Sequence, residues 1–209
     1  VGSSALTANT TGTQNVAVGS GALDSNTTAG CNVGVGHGAL SDNTTGSRNI
    51  AMGRNALGSN TTASCNTGLG HSALVFTTTG ADNTAVGTNS LLTNTTGASN
   101  VAVGMCSLYS NTTGAGNTGI DFKALFAVAG NGTDNSAVGC GALCSVTTGD
   151  GNVGMGYAAG NAITTGSDNT ILGRDAGRSS SPFEVTTESN RIVLGNNNVT
   201  NAYIKVAFR

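Results

Sequence analysis

The apolar and polar positions of the chain repeat every seventeen residues. An Asn that precedes a short apolar pair recurs at this interval, and after one inserted residue the series resumes in the same register. The positions are Asn15, Asn32, Asn49, Asn66, Asn83, Asn100, Asn117, Asn135, Asn152 and Asn169. Numbered from this Asn, the unit reads N-[VTIS]-[AG]-[VILM]-G-x-x-[AS]-[LG]-x-x-N-T-T-[GA]-x-x. A fixed period predicts a repeat architecture.

Each position of the unit predicts a local structure. Position 4 is large and apolar in every repeat, and position 9 is Leu from Leu23 to Leu143 and Gly afterwards. We predict that these two positions form the core. Positions 3 and 8 are small, which suits the close approach of another backbone. Gly at position 5 and the N-T-T-G run mark two corners, so each repeat is predicted to be two short strands joined by corners.

These elements predict an all-β fold, a β-solenoid (β-roll) of about ten coils with 17 residues each. Seventeen residues are too few for a helical hairpin, and the sequence has no 3.6-residue period. Stacking of the coils at about 4.8 Å would bring like positions together. The Asn at position 1 would then form a side-chain amide ladder along the rod.

The repeat alone does not explain how a single chain would be stable. Two core side chains in a seventeen-residue coil bury too little apolar surface to offset the entropy of ordering the backbone. We expect the strip of small residues to contact another copy of the chain, which predicts a homotrimer about the rod axis.

Composition narrows the classes of function. The net charge is −2, which argues against nucleic acid as a partner, and no run approaches the length of a membrane span. The five Cys lack metal-ligand spacing, so the sequence predicts neither a metal site nor a disulfide framework, and it indicates no cofactor. Val1 falls within a repeat, so we expect the chain to be a piece of a longer protein.

The repeats resemble those of a known group of viral proteins. The patterns "NTAVG", "NTTG" and, at 162–177, "AITTGSDNTILGRDAG" are similar to the β-roll repeats of phage tail fibres. They are similar, more loosely, to the heads of trimeric autotransporter adhesins. The end of the chain, "ESNRIVLGNNNVTNAYIKVAFR" at 188–209, resembles the segment that precedes an endosialidase-type intramolecular chaperone.

The resemblance implies a location and partners. It implies a trimeric, processed fibre in the virion tail. The implied partners are tail or baseplate proteins and a host receptor, which would be a glycan or an outer-membrane component. A bacterial surface adhesin is the alternative, and a polysaccharide-cleaving tail spike is another. The repeats at 1–177, with an irregular one at 117–134, would be followed by a cap or transition segment at 178–209. That segment holds "RSSSPFEVTT" and two strand-like stretches, "NRIVLG" and "AYIKVAF".

Few residues are candidates for chemistry. His37 and His71 share position 6 with Arg54 between them, and we predict that they lie on the surface. The N-T-T runs are formal glycosylation sequons that the corner itself requires. Their first residues are Asn9, Asn26, Asn43, Asn60, Asn94 and Asn111. Stacked Thr pairs could order water if they formed a flat array. Here they lie at a corner beside Gly and not on a flat strand, which argues against that role.

The residues favour attachment over catalysis. Acids that could cleave a glycoside are sparse, and no nucleophile has a base at a suitable spacing, so we expect no enzyme. The candidate acids are Asp121, Asp134, Asp175, Glu184 and Glu188. Aromatic and cationic residues of the irregular repeat and the tail are the candidate receptor contacts. They are Phe122, Lys123, Phe126, Phe183 and Tyr203. The sequence predicts a structural and adhesive fibre segment.

Overall fold

The chain forms a parallel β-solenoid in a computed structural model that describes residues 1–178 and 184–200. Eleven three-residue strands follow one another in a single sheet, in chain order and all parallel. They are β1 (Val16–Val18), β2 (Val33–Val35), β3 (Ile50–Met52), β4 (Thr67–Leu69), β5 (Thr84–Val86), β6 (Val101–Val103), β7 (Thr118–Ile120), β8 (Ser136–Val138), β9 (Val153–Met155), β10 (Thr170–Leu172) and β11 (Ile192–Leu194). The predicted all-β solenoid is confirmed, although each described coil has one strand and not the two predicted.

The register of the sheet reproduces the sequence period. Val16 pairs with Val33, seventeen residues on, whereas Thr118 pairs with Ser136 because the irregular repeat carries one extra residue. We call each unit from one position-1 Asn to the next a coil, so that 15–31 is coil 1 and the irregular coil 117–134 is coil 7. Beyond the strand, positions 6–11 form a turn that we call the wide corner.

The core differs from the prediction at position 4. The middle residue of every strand, position 3, points into the coil, and the residues on either side point out. Val18 is 44% exposed and Met52 46% exposed, so the prediction that position 4 forms the core is wrong. Side chains alternate along a strand, so positions 2 and 4 point outward once the small residue at position 3 points inward.

The prediction that position 9 belongs to the core is confirmed. The side chains at this position from coil 1 to coil 8 have no exposed surface. They are Leu23, Leu40, Leu57, Leu74, Leu91, Leu108, Leu125 and Leu143. They also explain why position 3 is small, because a Cβ on Gly34 would lie 3.4 Å from the Leu23 Cγ.

Positions 3 and 8 therefore do not contact another copy. Ala39, Ala73 and Ala142 at position 8 are wholly buried within their own chain, as are Ala51 and Ala102 at position 3. The predicted contact strip of small residues is wrong, because their size serves the narrow interior of the coil.

Ile side chains from other positions fill the interior where position 9 becomes Gly. At Gly160 a Cβ would lie 3.2 Å from the Ile163 Cδ1 and 3.4 Å from the Ile171 Cγ1. Both Ile side chains are fully buried. They come from positions 12 and 3, so the interior keeps its volume while different positions supply it.

The Asn at position 1 forms a buried ladder. The Oδ1 of Asn66 accepts a hydrogen bond from the backbone N–H of Asn83 at 2.9 Å, and the same contact recurs along the rod. The Nδ2 of Asn83 donates across the coil to the carbonyl of Gly97 at 2.8 Å. Each amide thus satisfies buried backbone groups on two sides of the interior.

A second Asn ladder runs through position 12, which sequence reasoning took for part of a corner. Asn43 Nδ2 donates to Asn26 Oδ1 at 3.0 Å, and Asn60 Nδ2 to Asn43 Oδ1 at 2.7 Å. Thr77 interrupts the ladder, and the buried Oδ1 of Asn60 has no hydrogen-bond partner among the described residues. These Asn are sequon residues, and burial removes all of the sequon Asn except the half-buried Asn9 from the surface of the folded rod.

The Gly at position 5 is required by the stacking of coils, as predicted. Gly70 has φ of 139°, and a Cβ there would lie 2.6 Å from the carbonyl oxygen of Gly87 in the next coil. Asp121 occupies the same position in coil 7 with φ of 99°. A non-Gly residue in this region is strained.

The repeat continues past the interruption. The predicted strand "NRIVLG" is β11, which pairs in register with β10 after a spacing of 22 residues, five more than usual. Val185 is buried like the position-12 residues before it. The five extra residues fall between Gly177 and Val185 in the sequence, and the predicted strand "AYIKVAF" lies outside the described residues.

Candidate functional site

Side chains of the wide corner differ from coil to coil, whereas the buried positions 1, 3, 8 and 9 scarcely change from coil 1 to coil 8. At positions 6 and 10, coil 2 has His37 and Ser41, and coil 7 has Phe122 and Phe126. His37 and His71 are exposed, as predicted. The corner is therefore the part of the described rod where side chains vary without disturbing the core.

The corner becomes apolar towards the middle of the rod. Position 10 carries four successive apolar or aromatic residues from coil 4 to coil 7. They are Val75, Leu92, Tyr109 and Phe126. The rings of Tyr109 and Phe126 stack with centroids 5.2 Å apart and an interplanar angle of 17°. Stacking between coils holds the Phe126 ring against its neighbour.

Three of the predicted receptor contacts come together in coil 7. The Lys123 Nζ lies 5.2 Å from the centroid of the Phe122 ring and 5.3 Å from that of Phe126. At this range the ammonium is attracted to the face of each ring. Phe183 and Tyr203, the other two candidates, lie outside the described residues.

Strain and an insertion are located beside this cluster. Asp121 takes the strained position-5 conformation immediately before Phe122, and its Oδ1 accepts a hydrogen bond from the Phe122 N–H at 2.7 Å. The extra residue of coil 7 follows Val128, where the Thr pair is replaced by Ala129 and Gly130. Strained residues cluster at functional sites, so the strain at Asp121 makes coil 7 a candidate site.

The cluster borders a cavity of about 410 Å³ between the corners of coils 7 and 8. Phe122, Lys123 and Phe126 form one side, and Cys140, Gly141 and Cys144 form the other. The volume falls in the range of small-ligand sites. The cavity was not predicted, because residues eighteen apart meet there only when coils stack.

The chain offers few other chemical groups. All five Cys are free thiols, Cys31 and Cys65 being exposed and the other three half-buried. Within residues 1–178 and 184–200, no three of His, Cys, Asp and Glu are close enough to hold a metal ion. The five candidate acids are all at least partly exposed.

One of those acids is perturbed by hydrogen bonds. The backbone N–H groups of Thr186 and Thr187 donate to the Glu188 carboxylate at 2.8 and 3.1 Å. The bond from Thr186 is the largest cause that lowers the pKa of Glu188 below its ordinary value. A lowered pKa keeps this carboxyl ionised, which suits an N–H acceptor in a turn.

A second surface, which we call the apolar stripe, consists of positions 2 and 4 of every strand. Position 4 is an aliphatic residue or Met from β1 to β11, and neither position carries a charge in any of these described strands. Position 2 is Val or Ile in six of these strands and the uncharged Thr or Ser in the other five. Eleven strands make a band about 50 Å long and roughly 10 Å wide, exposed to solvent in the single chain.

Sequence reasoning assigned position 4 to the core and so missed this stripe. A signal was present: positions 2 and 4 flank the small residue at position 3, which is the alternation of a half-buried strand. No helix in the described part of the chain is long and apolar enough to cross a membrane. No protein-family model, curated protein or solved structure matches the sequence or the fold of this chain.

Proposed function

We propose that the chain is a structural and adhesive segment of a phage tail fibre that contributes to host attachment. We further propose that three parallel copies assemble through the apolar stripe. The observation that carries this proposal is the stripe itself, an uncharged band that runs the length of the rod and is left exposed by a single chain.

The stripe supports self-association better than association with a small partner. A contiguous apolar band of this size marks a contact surface in soluble proteins. Its chemistry repeats every coil, so a second copy in parallel would meet matching side chains at every step. Threefold symmetry directs one stripe from each chain towards a common axis and covers all three.

The rod also supports an attachment role. Hydrogen bonds and stacked side chains connect each coil to the next, which makes the rod stiff. In a trimer the coil 7 cluster would be displayed three times at one level, and contacts that are weak singly would act together. The sequence resemblance to tail-fibre repeats supports a location in a virion tail and a bacterial surface as the target of attachment.

Labelling and adsorption test the proposal. An antibody raised against the purified chain should label the tails of virions from a phage that encodes it. The purified chain should also slow adsorption of that phage to its host. Labelling of bacterial cell surfaces in place of virions would favour the adhesin, and release of reducing sugars from host polysaccharide would overturn a purely adhesive role.

A further inference from the structure

The cavity between coils 7 and 8 is open because Gly141 lacks a side chain. A Cβ built at Gly141 would have no atom of the described chain within 4 Å. The same position holds Asn55, Asn89 and Lys123 in other coils, all with φ between 55° and 57°. The backbone there accepts larger residues, so folding does not require the space at Gly141 to be empty.

The wall of the cavity is largely apolar. Phe122 and Phe126 are half-buried, and Cys140 and Cys144 face them from the next coil. Tyr109 stacks on Phe126, which holds that ring in place. These two rings and two thiols form a surface on which a flat apolar group gains contact.

The described wall of the cavity carries positive charge only. Of the described residues that line it, Lys123 alone is charged, and its exposed side chain lies beside both rings. In the part of the chain that the structure describes, the salt bridges join Arg174 and Arg178 to Asp175, and none involves Lys123. The ammonium therefore keeps its N–H donors available to an anion while its stem covers apolar surface.

We propose that this cavity binds an acidic amphiphile, a molecule with one flat apolar ring system and one carboxylate. The ring system would lie against Phe122 and Phe126, and the carboxylate would accept hydrogen bonds from the Lys123 Nζ. A neutral polyol suits the cavity poorly, because the described wall offers it one hydroxyl, that of Ser145. This inference deepens the attachment function and rests on the same corner, but the isolated protein tests it directly.

The same corner in the first coil shows that the cavity is not a by-product of the fold. Coil 1 also has Gly at position 7, Gly21, with φ of 66°, and a Cβ built there would lie 3.9 Å from the Asp24 carboxylate. The residues of the preceding turn that match Phe122 and Phe126 are Ser3 and Thr7. Coil 1 thus offers the same backbone without rings and with a carboxylate that would repel an acid.

Titration with 2-naphthoate, followed by its own fluorescence, tests the proposal, with the neutral 2-naphthalenemethanol as the comparison ligand. The wild-type chain should bind naphthoate saturably, one molecule per chain, and more tightly than the alcohol. Lys123→Gln should weaken naphthoate binding about tenfold, as expected for loss of a charge-assisted hydrogen bond, and leave the alcohol nearly unaffected. Gly141→Asn should abolish saturable binding of both ligands.

A matched variant separates this result from unfolding. Gly21→Asn makes the same change at the equivalent position of coil 1, and it should bind naphthoate like the wild type. Circular dichroism should give all three variants the spectrum of the wild type. Equal affinity for the acid and the alcohol, or unchanged binding in Gly141→Asn, would overturn the inference.

The adsorption experiment distinguishes failure of this inference from failure of the attachment function. If the chain blocks phage adsorption without binding naphthoate, the inference fails and the attachment function stands. If the chain binds naphthoate but has no effect on adsorption, the cavity is a binding site and the attachment function fails.

Discussion

Coil 2 and coil 7 share four buried positions, differ at a fifth, where Asn43 is replaced by Val128, and differ most in the corner that faces solvent. Both have Asn at position 1, Gly at position 3, Ala at position 8 and Leu at position 9. At the corner, coil 2 presents His37 where coil 7 presents Phe122, and the cluster of coil 7 follows the strained Asp121. The difference shows that the buried residues determine the conformation of the coil, while the residues of the corner can vary and can form a binding surface.

Removal of the shared Leu should have the largest effect and should be equal in the two coils. Leu40→Ala and Leu125→Ala each leave a cavity in an interior of the same kind, so each should lower the free energy of unfolding by about 2–5 kcal/mol. His37→Ala, at the exposed corner of coil 2, should change it by less than about 0.5 kcal/mol. Urea unfolding measures all three. A much smaller loss at Leu125 would mean that the coil 7 interior is built differently.

Exchange of residues at position 12 should have the next largest effect. Asn43→Thr copies the interruption at Thr77 and leaves the Asn26 Oδ1 without its donor, which should cost about 1–3 kcal/mol. Thr77→Asn completes the ladder at the unpaired Oδ1 of Asn60 and should stabilise the rod by about 1 kcal/mol. Denaturant midpoints compare the two variants, and opposite signs are the expected outcome. A destabilised Thr77→Asn would contradict the assigned role of the ladder.

Replacing Asp121 with the Gly of the regular repeat should have a moderate effect, and it should stabilise the rod. Asp121→Gly relieves the conformation at φ of 99° but loses the hydrogen bond to the Phe122 N–H and adds freedom to the unfolded chain. Since strain of this kind costs about 1–3 kcal/mol, we expect a net gain of about 1 kcal/mol in stability. Thermal melting checks this prediction: the melting temperature should rise in Asp121→Gly. It should fall in Gly104→Asp, which puts Asp at the same position of the regular coil 6. A loss of stability in Asp121→Gly would show that Asp121 is not strained.

The smallest effect is expected at Glu188 in the last described repeat. Its pKa is lowered in the folded chain, so its contribution to stability is full above the unfolded pKa and is lost as pH falls through the folded value. Glu188→Gln should therefore melt slightly below the wild type at pH 7, and the two should converge in acid. Melting temperatures between pH 7 and pH 2 test this, and a gap that widened in acid would reverse the assigned sign.

Much of the fold could be predicted because the sequence repeats it many times. The period, the Gly corner and the buried Leu at position 9 each recur often enough to be unmistakable. Position 4 was misassigned because a large apolar residue was taken for a core residue, whereas the interior is too narrow for it once Leu fills the coil. The position-12 ladder was hidden within a motif that is also typical of turns.

The candidate site was predictable only in part. Phe122, Lys123 and Phe126 stand out as departures from the repeat, and the structure brings them together. Their partners Cys140, Gly141 and Cys144 follow the ordinary pattern of the next coil, so their sequence alone gives no sign of a cavity. Only the stacking of coils places the open Gly141 opposite the two rings.

Sedimentation equilibrium tests the central claim, that copies of the rod assemble through the apolar stripe. We predict that the wild-type chain at micromolar concentration sediments as a folded species with three times the mass of one chain. Met52→Asp together with Val103→Asp puts two charges in the stripe and should abolish the trimer. His37→Asp together with Thr88→Asp puts the same charges on the exposed corner and should leave it intact. A wild-type chain that sediments as a folded monomer, or a stripe variant that remains trimeric, would contradict the account.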